Sequence, residues 1–319
     1  MRPLLLVLDD WEGQIEASPC WAEIKGSVDI RFLDQPIINV NESELISVSF
    51  LMAMRERTAL NDAVFSKLPN LKLVLQTGGH TYHLDRDAAE KRGISVALGR
   101  KVTAPQIAVP ELTIAMALGL MHLIPESQIA MREGKWPLLT GRTLANKRLG
   151  ILGLGRHGSK VAHLAKSAFN MEVMAWDRPG SKSAGTASIP RISLDELLQT
   201  SDLISIHLKL SEESRGLLNL ERLKKMKPGA ILINTSRGAI VDEQALVELL
   251  RSGHLGGAGL DVFTDEPLDP RSPLRTFPNV IATPHIGWTV KEVFQEFAQI
   301  ACTQLQQFMQ GTLDATELV

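Results

Sequence analysis

The chain has 319 residues, more than one typical hydrophobic core needs and too few for three, so length favours two domains. With 34 Lys and Arg against 36 Asp and Glu, the formal net charge of −2 excludes the basic excess that nucleic acid or an anionic membrane would require. Cys20 and Cys302 stand far apart and outside any CxxC or Cys/His spacing, which argues against a disulfide framework or a structural zinc, and no metal site is expected.

The N-terminal MRPLLLVLDDW has too short an apolar run for a signal peptide and turns acidic at once, so it reads as a first strand. Similar apolar runs, rich in β-branched residues, recur at 28–33, 47–54, 71–76 and 94–98, with charged segments of helical period such as Asp85 to Arg92 between them. That alternation predicts βαβ units in a parallel sheet. A helix is expected to begin near Pro110, whose missing N–H suits a first turn, with Glu111 at the positive end of the dipole, and to run to about Gly134. Its most apolar stretch, Thr113 to Ile124, is interrupted by His122, stopped by Pro125, and falls short of the ~20 residues a membrane span needs. A buried core helix and a cytoplasmic protein are expected.

A second strand series follows at 148–155, 171–177, 202–208, 230–236, 256–262 and 279–285, enough for a complete doubly wound sheet. After Trp288 a terminal helix is expected to cross back to the first domain. The expected fold is α/β, with two Rossmann-like domains and a cleft between them. Residues 1–101, completed by 288–319, would bind substrate, and 102–287 would bind a dinucleotide.

Gly153-Leu154-Gly155-Arg156-His157-Gly158 follows an apolar strand and precedes a helical segment. Glycine at those places permits a tight turn, close approach of a pyrophosphate and close helix packing, while backbone N–H groups face the phosphates. His157 reads as solvent-facing, with only its backbone at the loop. Asp177 ends the next strand, 19 residues after Gly158, where a carboxylate accepts ribose hydroxyls and repels a 2′-phosphate. NAD is therefore favoured over NADP.

Arg237, Glu266 and His285 sit at the ends of late strands, where open α/β sheets bind ligands. Arg offers a planar fork to a carboxylate, and His both gives and takes a proton near neutrality, helped by a neighbouring carboxylate. Read singly, they are equally a surface ion pair, a loop carboxylate and a turn residue after Pro284.

The strings GLGRHGSKVA, HLKLSEESRGLL, MKPGAILINTSRGAIVDEQAL, GLDVFTDEPL and NVIATPHIGW resemble, in order and spacing, the D-isomer-specific 2-hydroxyacid dehydrogenases over nearly the whole chain. The resemblance implies hydride transfer between a nicotinamide and C2 of a 2-keto or 2-hydroxy acid. Arg237 would bind the carboxylate, His285 would donate the proton and Glu266 would be its partner. It further implies cofactor contacts from Arg156, His157, Asp177, His207, Thr235, Ser236, Arg237 and Asp261, the last meeting the nicotinamide carboxamide.

By the same resemblance LQTGGHTYHLD is the substrate loop, with N–H groups near Gly79 and His80 holding the substrate carboxylate. The helix from Pro110 would form a homodimer. This chain departs from the family pattern at His80, at Lys209 in place of a proline after His207, and at Trp288, which either walls the pocket or packs on the returning helix. No cluster of Arg or Lys in the first domain announces a phosphate clamp, which favours unphosphorylated acids. The alternative is a corepressor-like interaction protein that senses NAD, disfavoured because the chain lacks long disordered flanks. A formate-type dehydrogenase is disfavoured by Glu266, where that branch would want an uncharged amide.

Overall fold

The computed structural model describes residues 2–178 and 188–319. It divides into two compact units, Met1–Ala104 with Thr289–Val319, and Pro105–Trp288.

The first unit carries β1 (Leu4–Val7), β2 (Asp29–Phe32), β3 (Val48–Ala53), β4 (Leu73–Gln76) and β5 (Ser95–Leu98), linked through the short helices α1 (Glu42–Leu45), α2 (Asp62–Ser66) and α3 (Arg86–Lys91). The strands pair in parallel in the order β2-β1-β3-β4-β5. β4 is apolar along its length because both faces are covered, and all four of its residues are buried, whereas the edge strand β2 leaves every second residue exposed. Asn61 and Asp85 cap α2 and α3 by accepting from the N–H groups of Val64 and Ala88. The strand order reverses between β1 and β3, which gathers the loops after β1, β3 and β4 at one end of the sheet.

The second unit opens with α4 (Pro105–Met121) and α5 (Ile124–Arg132), where a single helix from Pro110 to about Gly134 was expected. The two are bent by 64°. Pro110 lies inside α4 with its ring buried, so the helix forgoes one backbone hydrogen bond there rather than starting at it. The Thr113 hydroxyl donates to the Val109 carbonyl at 2.9 Å. The break falls at Leu123, which takes the left-handed conformation ahead of Pro125, a residue that cannot continue the preceding helix. No single helix among the described residues is long and apolar enough to cross a membrane.

The unit continues with β6 (Arg148–Leu152), α6 (Arg156–Phe169), β7 (Glu172–Trp176), α7 (Leu194–Thr200), β8 (Leu203–Ile206), α8 (Leu220–Lys224), β9 (Ile231–Asn234), α9 (Glu243–Arg251), β10 (Gly257–Leu260) and β11 (Val280–Ala282). The six strands pair in parallel in the order β11-β10-β9-β8-β6-β7, and an isolated parallel bridge joins Ala175 of β7 to Arg191 on its outer side. This is a doubly wound sheet whose order reverses between β6 and β8. In α9 the buried Ala245, Leu246, Leu249 and Leu250 form one face, and Asp242 caps the helix through the Ala245 N–H.

The last helix, α10 (Lys291–Gln310), belongs to the first unit. It buries Phe294, Phe297 and Leu305, sets Phe308 edge-on to Phe50 of β3 at 6.1 Å, and donates from Gln304 to the Leu98 carbonyl at 3.0 Å. Cys20 and Cys302 are buried free thiols.

Candidate active site

β6 runs into the Gly153 loop at the point where the strand order reverses. Gly153 has φ 97°, and a Cβ there would stand 2.8 Å from the His207 carbonyl oxygen. A Cβ at Gly158 would stand 2.0 Å from the Gly153 oxygen, so a side chain at Gly158 would prise α6 off its strand. Around Gly155 there is open space, and α6 starts there without a side-chain cap, leaving its first N–H groups, those of Arg156 and His157 among them, for an anion.

Asp177 follows β7 and accepts the Leu154 N–H through Oδ1 at 2.7 Å. Its Oδ2 is buried without a hydrogen bond, and Arg191 Nε lies 3.5 Å away. A buried carboxylate oxygen without a hydrogen bond, beside an uncapped helix start, fits a ribose diol and a pyrophosphate. Arg178, next in sequence, is drawn to Ser211 Oγ at 2.6 Å and Glu213 at 3.4 Å.

His157 corrects one expectation. It is the second residue of α6 and half-buried, and burial, with the charges of Arg156 and Arg237, holds its imidazole below the usual histidine range. Burial beside His157 lowers His207 to about 3, so its ring is neutral, with Nε2 2.8 Å from Ser205 Oγ. At the end of β9, Thr235 Oγ1 lies 3.0 Å from Thr113 Oγ1, and Ser236 Oγ donates to the Leu208 carbonyl at 2.9 Å.

Arg237, Glu266 and His285 follow β9, β10 and β11, three neighbouring strands. Gly238 draws the first two loops together, since a Cβ on it would fall 1.9 Å from the Phe263 carbonyl carbon. Glu266 Oε1 accepts the Phe263 N–H at 3.0 Å, and its Oε2 lies 2.7 Å from His285 Nδ1. Burial pushes Glu266 up, but the hydrogen bonds from His285 and Phe263 and the charges of His285 and Arg237 together hold it below the usual carboxylate range.

His285 has φ 56°, a strained value for a side-chain-bearing residue, and Asp261 fixes that turn. Asp261, assigned by resemblance to the carboxamide, is buried. Its Oδ1 accepts from Thr283 Oγ1 at 2.5 Å and Ile286 N at 2.8 Å, and its Oδ2 accepts from Gly287 N at 2.8 Å. Burial pushes its carboxyl up against these bonds.

In the first unit, Gly79 and His80 follow β4, and neither N–H donates within the described residues. His80 stacks on Tyr82 with ring centroids 4.8 Å apart. Arg55 and Arg57 lie in the loop after β3, each beside a carboxylate, Glu56 and Glu12 respectively, and Arg55 Nη2 is 3.0 Å from His80 Nε2. Trp288 is half-buried at the end of the second unit. Among the described residues no cluster of His, Cys, Asp and Glu could hold a metal.

Residues 114–287 match the family described as D-isomer specific 2-hydroxyacid dehydrogenase, NAD binding domain. The chain belongs to the D-isomer specific 2-hydroxyacid dehydrogenase family. It is 32% identical over 316 residues to a hydroxypyruvate reductase of Blautia hydrogenotrophica, covering 95% of this chain and 93% of the relative. A D-3-phosphoglycerate dehydrogenase of Bacillus subtilis is 38% identical over 280 residues, 85% of this chain, which spans only 51% of that relative's length. The solved TT0316 protein from Thermus thermophilus superposes with a TM-score of 0.83 at 32% identity, covering 97% of each chain.

As a member of this 2-hydroxyacid dehydrogenase family the chain is an oxidoreductase acting on the CH–OH group with a nicotinamide cofactor. The purely interacting, NAD-sensing alternative is not favoured by relatives named as reductases and dehydrogenases. Sequence reasoning missed Arg55, Glu56 and the part Asp261 plays under His285. The signal for the first two was present, because RERT follows the apolar run of β3 directly and so falls at the carboxyl end of a strand.

Proposed function

We propose that this chain reduces a small 2-keto acid with NADH, and oxidises the corresponding D-2-hydroxy acid in reverse. The observation that carries this is the His285–Glu266 pair at 2.7 Å, set beside Arg237 on adjoining strand ends of the dinucleotide-binding sheet. The bound nicotinamide supplies the hydride. His285, with Nδ1 held by Glu266, presents Nε2 as proton donor to the substrate oxygen, and takes the proton back in oxidation. Arg237 holds the carboxylate and polarises the carbonyl. The first unit acts as the substrate domain, with the Gly79 and His80 N–H groups as its donors to an anion.

NAD is preferred to NADP. The Asp177 oxygen that makes no hydrogen bond suits a 2′-hydroxyl and repels a phosphate, and Arg178 is engaged elsewhere. A homodimer is supported by the apolar residues that α5 and the following segment leave in solvent, Trp136 at 82% and Leu138 at 96% exposure among them, which a second copy would cover. We place the enzyme in the cytoplasm, in keeping with its two free cysteines.

The test is oxidation of NADH by glyoxylate, hydroxypyruvate and larger 2-keto acids, with His285→Ala as control. Turnover that the control abolishes is expected. No turnover of any 2-keto acid by the wild type would overturn the reading, and light scattering checks the dimer.

A further inference from the structure

We propose that Glu56 is a built-in counter-anion that selects against substrates carrying a second negative group, so that this enzyme takes 2-keto acids with an uncharged tail. The inference rests on the reading that Gly79 and His80 belong to the substrate site.

β3 and β4 are neighbours, and their carboxyl ends carry Arg55 and the Gly78-Gly79-His80 turn. Arg55 is held in a left-handed conformation, φ 53°. Its N–H donates to Thr77 Oγ1 at 2.7 Å, and its carbonyl accepts from Gln76 Nε2 at 3.1 Å. The guanidinium lies over Gly78, where a Cβ would stand 2.2 Å from Nη1, so the glycine leaves the place the cation fills. From there Nη2 reaches His80 Nε2 at 3.0 Å. A fixed guanidinium and an imidazole beside two undonated backbone N–H groups would by themselves form a receptor for a doubly charged anion.

Glu56 changes that chemistry. Its Oε1 lies 3.0 Å from His80 Nε2, and its Oε2 lies 3.5 Å from Arg55 Nε. The other cation of the loop is matched in the same way, since Arg57 makes a two-pronged pair with Glu12 and donates to the Asp9 carbonyl at 2.6 Å. A phosphate or second carboxylate on the substrate tail would therefore displace or face the Glu56 carboxylate instead of an uncompensated cation. A hydroxyl or hydrogen on the tail meets no such penalty. Repulsion of the wrong partner is how charged sites discriminate without tightening on the right one.

The experiment compares hydroxypyruvate, a monoanion, with oxaloacetate and 3-phosphohydroxypyruvate, which carry a second anionic group, for the wild type, Glu56→Gln, and Glu56→Gln combined with Arg55→Ala. Glu56→Gln should raise the ratio of kcat/KM for the multiply charged acids over the monoanion at least tenfold, through KM rather than kcat. Arg55→Ala should cancel that gain. Structural damage would lower all three substrates together, and Glu56→Ser supplies a second variant should Gln fold poorly. A ratio unchanged in both variants, or a gain that survives Arg55→Ala, overturns the proposal. A binding arm separates it from the proposed activity: NADH-loaded protein is titrated with oxamate, a monoanion, and malonate, a dianion. Tighter malonate binding in Glu56→Gln without turnover of any keto acid would support the counter-anion and sink the proposed function, whereas turnover with no change in malonate binding would do the reverse.

Discussion

His285 Nδ1 lies 2.7 Å from Glu266 Oε2, while the other oxygen of the same carboxylate accepts the Phe263 N–H at 3.0 Å. A carboxylate fastened at both oxygens orients the imidazole ring and stabilises its protonated form. Glu266 is held below the ordinary glutamate value of about 4.3, so what it contributes is fully present above that value and is lost as pH falls through the lower, folded one. Keto acid reduction should decline as pH rises, and hydroxy acid oxidation should improve. Glu266→Gln should change the pH profile of kcat/KM for reduction, and His285→Ala should cost about 10²- to 10⁴-fold in rate. Superimposable kcat/KM profiles for wild type and Glu266→Gln would detach Glu266 from the proton donor.

Arg237→Lys keeps the charge and loses the two-pronged fork. The fall in kcat/KM for the keto acid should exceed about tenfold. A lysine variant as active as the wild type would show that Arg237 does not clamp the carboxylate.

Asp177 has one oxygen on the Leu154 N–H and one buried without a hydrogen bond, with Arg191 Nε 3.5 Å from the latter. Removing that carboxylate in Asp177→Ala should reduce the preference for NADH over NADPH by about tenfold or more, because repulsion of the 2′-phosphate disappears and a cation is released beside it. Equal kcat/KM for both cofactors in the wild type would refute the assignment.

Two glycine substitutions should part stability from binding. A Cβ at Gly238 falls 1.9 Å from the Phe263 carbonyl carbon, so Gly238→Ala should force the Arg237 and Glu266 loops apart, costing about 1–3 kcal/mol and lowering Tm along with kcat. A Cβ at Gly155 meets nothing within 4 Å, so Gly155→Ala should leave Tm almost unchanged and raise the NADH Kd by standing where the phosphates approach. Calorimetry and NADH titration read the two effects separately, and equal loss of Tm in both variants would contradict the division.

The sequence alone determined what depends on local burial and local backbone. Apolar runs of strand length marked the eleven strands among the described residues, most plainly those such as β4 that are covered on both faces and so must be apolar throughout. The glycines at 153 and 158, and Asp177 at the end of the next strand, were legible for a related reason, since turn, strand and helix start are contiguous in the chain. The helix from Pro110 was misplaced because proline is equally at home in a first turn, and only the packing of α4 decided that its ring is buried inside the helix.

The tertiary structure alone decided which strand ends meet. Arg237, Glu266 and His285 are 29 and 19 residues apart along the chain and became one site because β9, β10 and β11 pair side by side. Arg55 and His80, 25 residues apart, came together through the pairing of β3 with β4, and Asp261 passed under the His285 turn because β10 lies next to β11. Periodicity records how deeply a residue is buried but not against what, so strand neighbours, and the chemistry their ends assemble, enter only with the packed sheet.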